Sequence, residues 1–401
     1  MNINRVIVAG VFSFPTGQAA SSRILNLTRG FMDHVDDVQV ICSYYNEDGK
    51  EFKQKGHFQF CNKSIPFIAM APHVFEGNSI IKRVENRLSY YKVTKLLVNS
   101  ILETLEGHDK EMIFTYGRSY TFLNLLLKKI KKKNYKTKIV FDVVEPPMVK
   151  NSRIEYIKHP FLWESSLVFK KLLPKFSACT FITYKLKEEY GKAIDKFSIV
   201  PSVLYSKEKK GYVKFNDNEL VIGYFGALIN KDYPQLLYNL CLDLYNKEQS
   251  FKLRIIGRFR NFSEGREWEK RFVNSPFKNS VSLHFNPSEK EKMELLRGVK
   301  FLVLFRKPEP LQEFTFPTRV VEVLGLHKVL IMNSFGDLPR YFIDLKNCIF
   351  LPSNELRITS DKLIRSNNNN TYTKLVKEAS KLLENDFNSS IQAKEILNQF
   401  L

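Results

Sequence analysis

Three segments of the 401-residue chain place small, basic and acidic residues where a strand pattern gives way to a helix pattern, and there backbone N–H groups and cations can meet phosphate. The first is Phe14-Pro15-Thr16-Gly17-Gln18-Ala19-Ala20-Ser21-Ser22-Arg23, ahead of the amphipathic run Ile24 to Phe31. Gly17 lets the backbone come close to a ligand, although an ordinary βα turn reads the same way. The second is Gly223-Tyr224-Phe225-Gly226-Ala227-Leu228-Ile229-Asn230-Lys231, a strand, a glycine turn at Gly226 and then a cation. Lys231 is placed to neutralise a diphosphate leaving group. In the third, Phe314-Thr315-Phe316-Pro317-Thr318-Arg319-Val320-Val321-Glu322, Pro317 and Thr318 suit a helix start. Glu322 follows one turn later, where a carboxylate can accept paired sugar hydroxyls.

Other residue classes exclude chemistry. The dinucleotide fingerprint Gly-x-Gly-x-x-Gly is absent, which removes the main support for a nicotinamide enzyme. The seven histidines have no ligand spacing, so no metal is implied, and no cofactor is expected. Five scattered cysteines form neither a disulfide framework nor a zinc pair, as in a reducing cytoplasm. No signal peptide or bilayer-spanning run of about 18 apolar residues is visible. The net charge of +20 attracts polyanions, but no helix-turn-helix, RNP, zinc or repeat signature accompanies it, so nucleic acid is not expected as a partner. Lys- and Asn-rich composition with a solvated surface explains the same charge.

Elements that would position these residues alternate along the whole chain. Apolar, β-branched runs at Arg5 to Ala9, Val38 to Cys42, Met112 to Thr115, Lys138 to Val144, Cys179 to Thr183 and Phe197 to Val200 are separated by helical patterns. They are continuous and not alternating, as in parallel sheets covered on both faces. The pattern restarts at Leu220, with further strands at Lys252 to Ile256, Val281 to Phe285, Phe301 to Phe305 and Val329 to Met332. Arg258, after Gly257, follows the second of these and can line a nucleotide pocket or lie on the solvated surface. The division is an N-terminal α/β domain over 1–203, a polar linker over 204–218, a second α/β domain over 219–380 and a helix over 381–401 that can cross back to the first domain.

Taken in this order, the segments resemble the retaining glycosyltransferases of the GT-B fold, family four in particular. Members open with a strand and a turn carrying Pro, Gly, Ala and Arg, matched here from Pro15 to Arg23. A Gly-x-x-Gly-x-Leu segment followed by Lys begins their second domain, matched by Gly223 to Lys231. The most specific match sets Pro317-Thr318-Arg319-Val-Val-Glu322, then Val329-Leu330-Ile331, against the family's Pro-Ser/Thr-Lys/Arg-x-x-Glu stretch. Lesser echoes are Tyr116-Gly117-Arg118-Ser119 and Asp142-Val-Val-Glu145-Pro146, from which Arg118 and Glu145 are taken as acceptor-side candidates.

The resemblance implies an α/β fold of two doubly wound, Rossmann-like domains facing across a cleft that holds the nucleotide-sugar. It implies that Glu322 holds the donor ribose, that Thr318 and Arg319 lie near the diphosphate with Gly226, that Lys231 binds it, and that Gly17 lets the first domain close over it. Many members carry a Glu eight positions before the ribose Glu; position 314 here is Phe, and Glu313, one residue earlier, joins Lys231 as a catalytic candidate. The usual Gly-x-Pro before the next strand is replaced by His327-Lys328-Val329.

The activity so implied is transfer of a sugar from a UDP-linked donor to a cell-envelope, capsule or lipid-linked glycan acceptor, without a metal. Basic, apolar stretches at Ile80 to Leu97, Leu127 to Lys136 and Tyr156 to Lys175 would let a cytoplasmic protein rest on an anionic membrane at its inner face, or are helices with lysines at their solvent edge. The alternative is a catalytically silent GT-B module serving as a partner or membrane scaffold.

Overall fold

The computed structural model of the chain describes residues 3–16, 19–47, 51–60, 62–72, 80–147, 161–205, 219–258, 262–351 and 356–400. The chain divides into two units, Met1–Tyr205 with Asp386–Leu401, and Ser206–Asn385. Most of the segment read as a linker, residues 206–218, lies outside the described residues.

The first unit is built on eight strands: β1 (Arg5–Pro15), β2 (Asp37–Asn46), β3 (Lys55–Phe60), β4 (Lys63–Pro72), β5 (Glu111–Tyr116), β6 (Lys138–Val143), β7 (Ala178–Phe181) and β8 (Phe197–Ile199). Their order is β3-β4-β2-β1-β5-β6-β7-β8, parallel throughout except for β3 against β4. Val6, Ile7, Val8 and Ala9 of β1 are all buried, which explains why the strand is apolar on both faces. Helix Ala19–Phe31 lays Ile24, Leu27 and Phe31 on this sheet. The β3–β4 hairpin is absent from the sequence reading. In β3 alternate residues are exposed, so it presents Lys55, His57 and Gln59 as polar breaks instead of an apolar run.

Helix Ser389–Asn398 belongs to the first unit, adding Ala393 and Ile396 to its core. A Cβ on Gly30 would stand 2.1 Å from the Ser389 carbonyl oxygen, so glycine is what lets this helix touch helix Ala19–Phe31 backbone to backbone. Leu204 and Tyr205, assigned to the linker by composition, also pack here. The Leu204 N–H donates to the Phe387 carbonyl at 2.9 Å, and the Arg29 guanidinium lies 4.1 Å from the Tyr205 ring centroid. Helix Asn369–Glu384 continues past residue 380, so the second unit runs further than the sequence pattern placed it.

The second unit contains β9 (Val221–Ala227), β10 (Lys252–Arg258), β11 (Val281–Phe285), β12 (Phe301–Leu304), β13 (Val329–Asn333) and β14 (Ile349–Leu351). The order is β11-β10-β9-β12-β13-β14 and every pairing is parallel. It is the doubly wound, nucleotide-binding order, in which ligands bind beyond the carboxyl ends of the strands where the order reverses. The reversal here lies between β9 and β12. Three-residue β14 is too short to leave a sequence signal.

Replacing Gly30 by Ala should separate the two helices and destabilise the first unit by about 1–3 kcal/mol. Urea unfolding measures this, and a loss below about 0.5 kcal/mol, within the scatter of a neutral surface change, would contradict the packing argument.

Candidate donor site

Beyond the carboxyl ends of β9 and β12, three side chains converge on Asp232, which is 2% exposed in the turn Asn230–Asp232. Arg319 Nη2 donates to Oδ2 at 2.8 Å, the Tyr224 hydroxyl donates to the same oxygen at 2.6 Å, and Arg306 Nη1 donates to Oδ1. Each reaches the carboxylate from a different element. Tyr224 is in β9, Arg306 follows β12, and Arg319 is in the first turn of helix Thr318–Gly325. Pro317, which has no side-chain oxygen for capping, stands at the N-cap of that helix.

Gly226 makes room for the Arg319 guanidinium. Its φ of +138° is one that L side chains rarely adopt, and a Cβ there would lie 2.3 Å from Arg319 Nη2. The guanidinium also lies 5.0 Å from the Tyr224 ring centroid and 5.8 Å from that of Phe225. The loops after β9 and β12 are tied together by the Lys307 N–H, which donates to the Lys231 carbonyl at 3.1 Å.

Burial works to raise the Asp232 carboxyl, but Arg319, Arg306 and the Tyr224 hydroxyl outweigh it and hold the group below its ordinary value. Asp232 is therefore ionised. Glu322, half-buried one turn along from Arg319, is shifted the other way, because burial raises it and the pull of Arg319 and Lys292 only partly compensates.

Of the residues singled out from sequence, Gly226 and Arg319 are in direct contact, and Thr318 and Glu322 share the Arg319 helix. Lys231 adjoins Asp232 with an exposed side chain. Arg258 pairs with Glu289 Oε1 at 2.8 Å, and Glu289 acts electrostatically on Glu322, which sets Arg258 at the margin of the same region. Glu313 is exposed on the turn Pro310–Phe314 and is not among the contacts of Asp232. Gly17 lies outside the described residues. Asp232 and Arg306 were not identified from sequence. Their only signal is position, since each follows the carboxyl end of a central strand.

In the first unit, Arg23 is 3% exposed and grips Asp142 through Nε at 2.8 Å and Nη2 at 2.9 Å. Its remaining donors reach the Pro201 and Val200 carbonyls at 2.7 and 2.9 Å, while the Thr180 hydroxyl donates to Asp142 at 2.6 Å. The pair is a clamp in which each nitrogen of the guanidinium donates at least once. The acceptor-side candidates Arg118 and Glu145 pair with each other, and Arg118 also donates to the Pro146 carbonyl at 2.6 Å.

No protein-family model matches the chain, and no curated protein matches it in sequence. Solved structures match over essentially its whole length. The catalytic domain of starch synthase IV from Arabidopsis thaliana, bound to ADP and acarbose, is 10% identical with a TM-score of 0.66, covering 100% of this chain and 99% of that one. HepE of Anabaena in complex with UDP is 12% identical with a TM-score of 0.60, covering 98% and 99%. An α,α-trehalose-phosphate synthase (UDP-forming) from Burkholderia xenovorans, in complex with glucose-6-phosphate, is 9% identical with a TM-score of 0.61, covering 99% and 100%. The fold is GT-B, with two Rossmann-like units. Among the described residues no helix is long and apolar enough to cross a membrane, and no cluster of three or more His, Cys, Asp or Glu could hold a metal ion.

Asp142→Ala leaves the Arg23 cation buried without its carboxylate and should cost about 3–5 kcal/mol. Urea unfolding of this variant beside Arg23→Met/Asp142→Leu checks it. The apolar pair should lose less than the single change, and equal losses would mean that volume, not charge, sets the cost.

Proposed function

We propose that the protein is a glycosyltransferase that moves a sugar from a nucleoside-diphosphate donor, UDP-linked, to a cell-envelope or lipid-linked glycan acceptor with retention of anomeric configuration. The observation that carries this reading is the pair of arginines held on Asp232 at the β9–β12 reversal, with Glu322 one turn along the Arg319 helix. In this reading Glu322 accepts the ribose hydroxyls. Lys231, Arg319, Thr318 and the first-turn N–H groups meet the diphosphate, while Glu313 serves the donor sugar. Negative charge grows on the diphosphate as the glycosidic bond breaks, so donors fixed in advance stabilise the transition state more than the ground state. The acceptor hydroxyl attacks from the face the diphosphate leaves, and its proton passes to the diphosphate. Arg118 and Glu145 stand on the acceptor side.

The solved neighbours with bound UDP and ADP support a nucleotide donor. Among the described residues, helix Ile80–Thr104 exposes Leu88 and Tyr91 beside Lys92 and Lys95, which supports peripheral attachment to an anionic membrane surface from the cytoplasmic side. Among the described residues, Cys42, Cys179, Cys241 and Cys348 are buried and free, which fits that reducing compartment.

A thermal-shift titration with UDP, GDP, ADP and CMP tests the donor site, since a ligand at 100 times its Kd stabilises by about 2.7 kcal/mol. UDP should raise the melting temperature, and Glu322→Ala should abolish the rise. No response to any of the four would favour a silent module. Because burial raises the Glu322 carboxyl, its ionised, hydroxyl-accepting form is lost as pH falls, beginning above the range of an ordinary Glu. UDP affinity should accordingly weaken on mild acidification in the native protein. Co-sedimentation with vesicles tests the membrane surface: anionic vesicles should retain the protein, and equal retention by neutral ones would exclude a charge-driven hold.

A further inference from the structure

Arg306 and Asp232 have no part in the roles assigned above, yet they are the most deeply buried charges of the cluster. Arg306 is 8% exposed, and two guanidinium groups sharing one carboxylate leave a single positive charge largely shielded from water. Arg306 Nε and Arg319 Nη1 are buried with no hydrogen-bond partner among the described residues. An interior N–H without an acceptor is unfavourable, and an oxygen-rich anion would supply the acceptors. Both arginines stand beyond strand carboxyl ends at the reversal point, and the first turn of helix Thr318–Gly325 adds its N–H groups on the Arg319 side.

We propose that Arg306 is a second diphosphate-binding residue of the donor site and that Asp232 is the positioning residue that presents Arg306 and Arg319 together. This rests on the donor reading above. Asp232 gives one oxygen to each arginine, so it fixes their separation, and Tyr224 fixes Asp232 in turn. Without the carboxylate the two cations repel each other and lose their common anchor.

Calorimetric titration of the full-length protein with UDP, UMP and uridine separates phosphate from nucleoside recognition. Arg306→Gln should weaken UDP binding about 10- to 100-fold, as expected for losing one charge-assisted contact, and leave uridine within about twofold. Arg306→Lys should recover part of the loss. Asp232→Asn gives opposite signs for the two roles the carboxylate can have. Removing a negative charge tightens UDP binding if Asp232 only offsets the arginines, and weakens it if Asp232 positions them; we expect weakening, with Asp232→Glu intermediate. Circular dichroism shows whether each variant is folded. If Asp232→Asn does not fold, Arg306→Gln decides, because Arg319 keeps Asp232 paired there. Unchanged UDP affinity in Arg306→Gln, or tighter binding in Asp232→Asn, overturns this proposal while the donor reading survives. Failure of the native protein to bind UDP, UMP or uridine overturns the donor reading itself, and this inference with it.

Discussion

A guanidinium taken out of water is costly unless an opposite charge meets it, and in each unit of this protein one buried carboxylate does so for arginines that join separate elements. In the first, Arg23 meets Asp142 near the carboxyl end of β6 and takes the Val200 and Pro201 carbonyls with its remaining donors. One side chain thereby fixes the first helix, a central strand and the chain leaving β8. In the second, Asp232 holds two arginines from separate elements, one in the loop after β12 and one in the first turn of helix Thr318–Gly325. In the first arrangement every nitrogen of the arginine donates. In the second, Arg306 Nε and Arg319 Nη1 are buried with no partner among the described residues, and that difference separates a structural clamp from a site able to take an anion.

Much of the fold was legible because parallel strands covered on both faces must be apolar throughout. Val6-Ile7-Val8-Ala9 and Phe301-Leu302-Val303-Leu304 can be little else, and all eight residues are buried. The β3 strand escaped because an edge strand with one wet face resembles a polar loop in sequence. Position along a helix made Glu322 readable, since its spacing from Arg319 places both on one side of the same turn. Nothing local distinguishes Asp232 or Arg306 from surface charges. Their importance comes from strand order, which brings the ends of β9 and β12 side by side although the strands are far apart in sequence.

The same limit applied to Arg23. Its match to a family turn is correct as a pattern, yet the pattern does not say whether the arginine faces a ligand or a buried carboxylate. Only the position of Asp142 in β6 settles that, and it does so for packing. Arg118 and Glu145, two unconnected echoes in sequence, are partners in space.

The seat of helix Ser389–Asn398 against Gly30 also has a consequence for biosynthesis. The second unit is one unbroken stretch of chain, whereas the first incorporates a helix translated only after the second unit is complete. On the ribosome, the earlier-made unit must therefore wait with the groove over Gly30 uncovered, and the later-made unit is the one able to finish first.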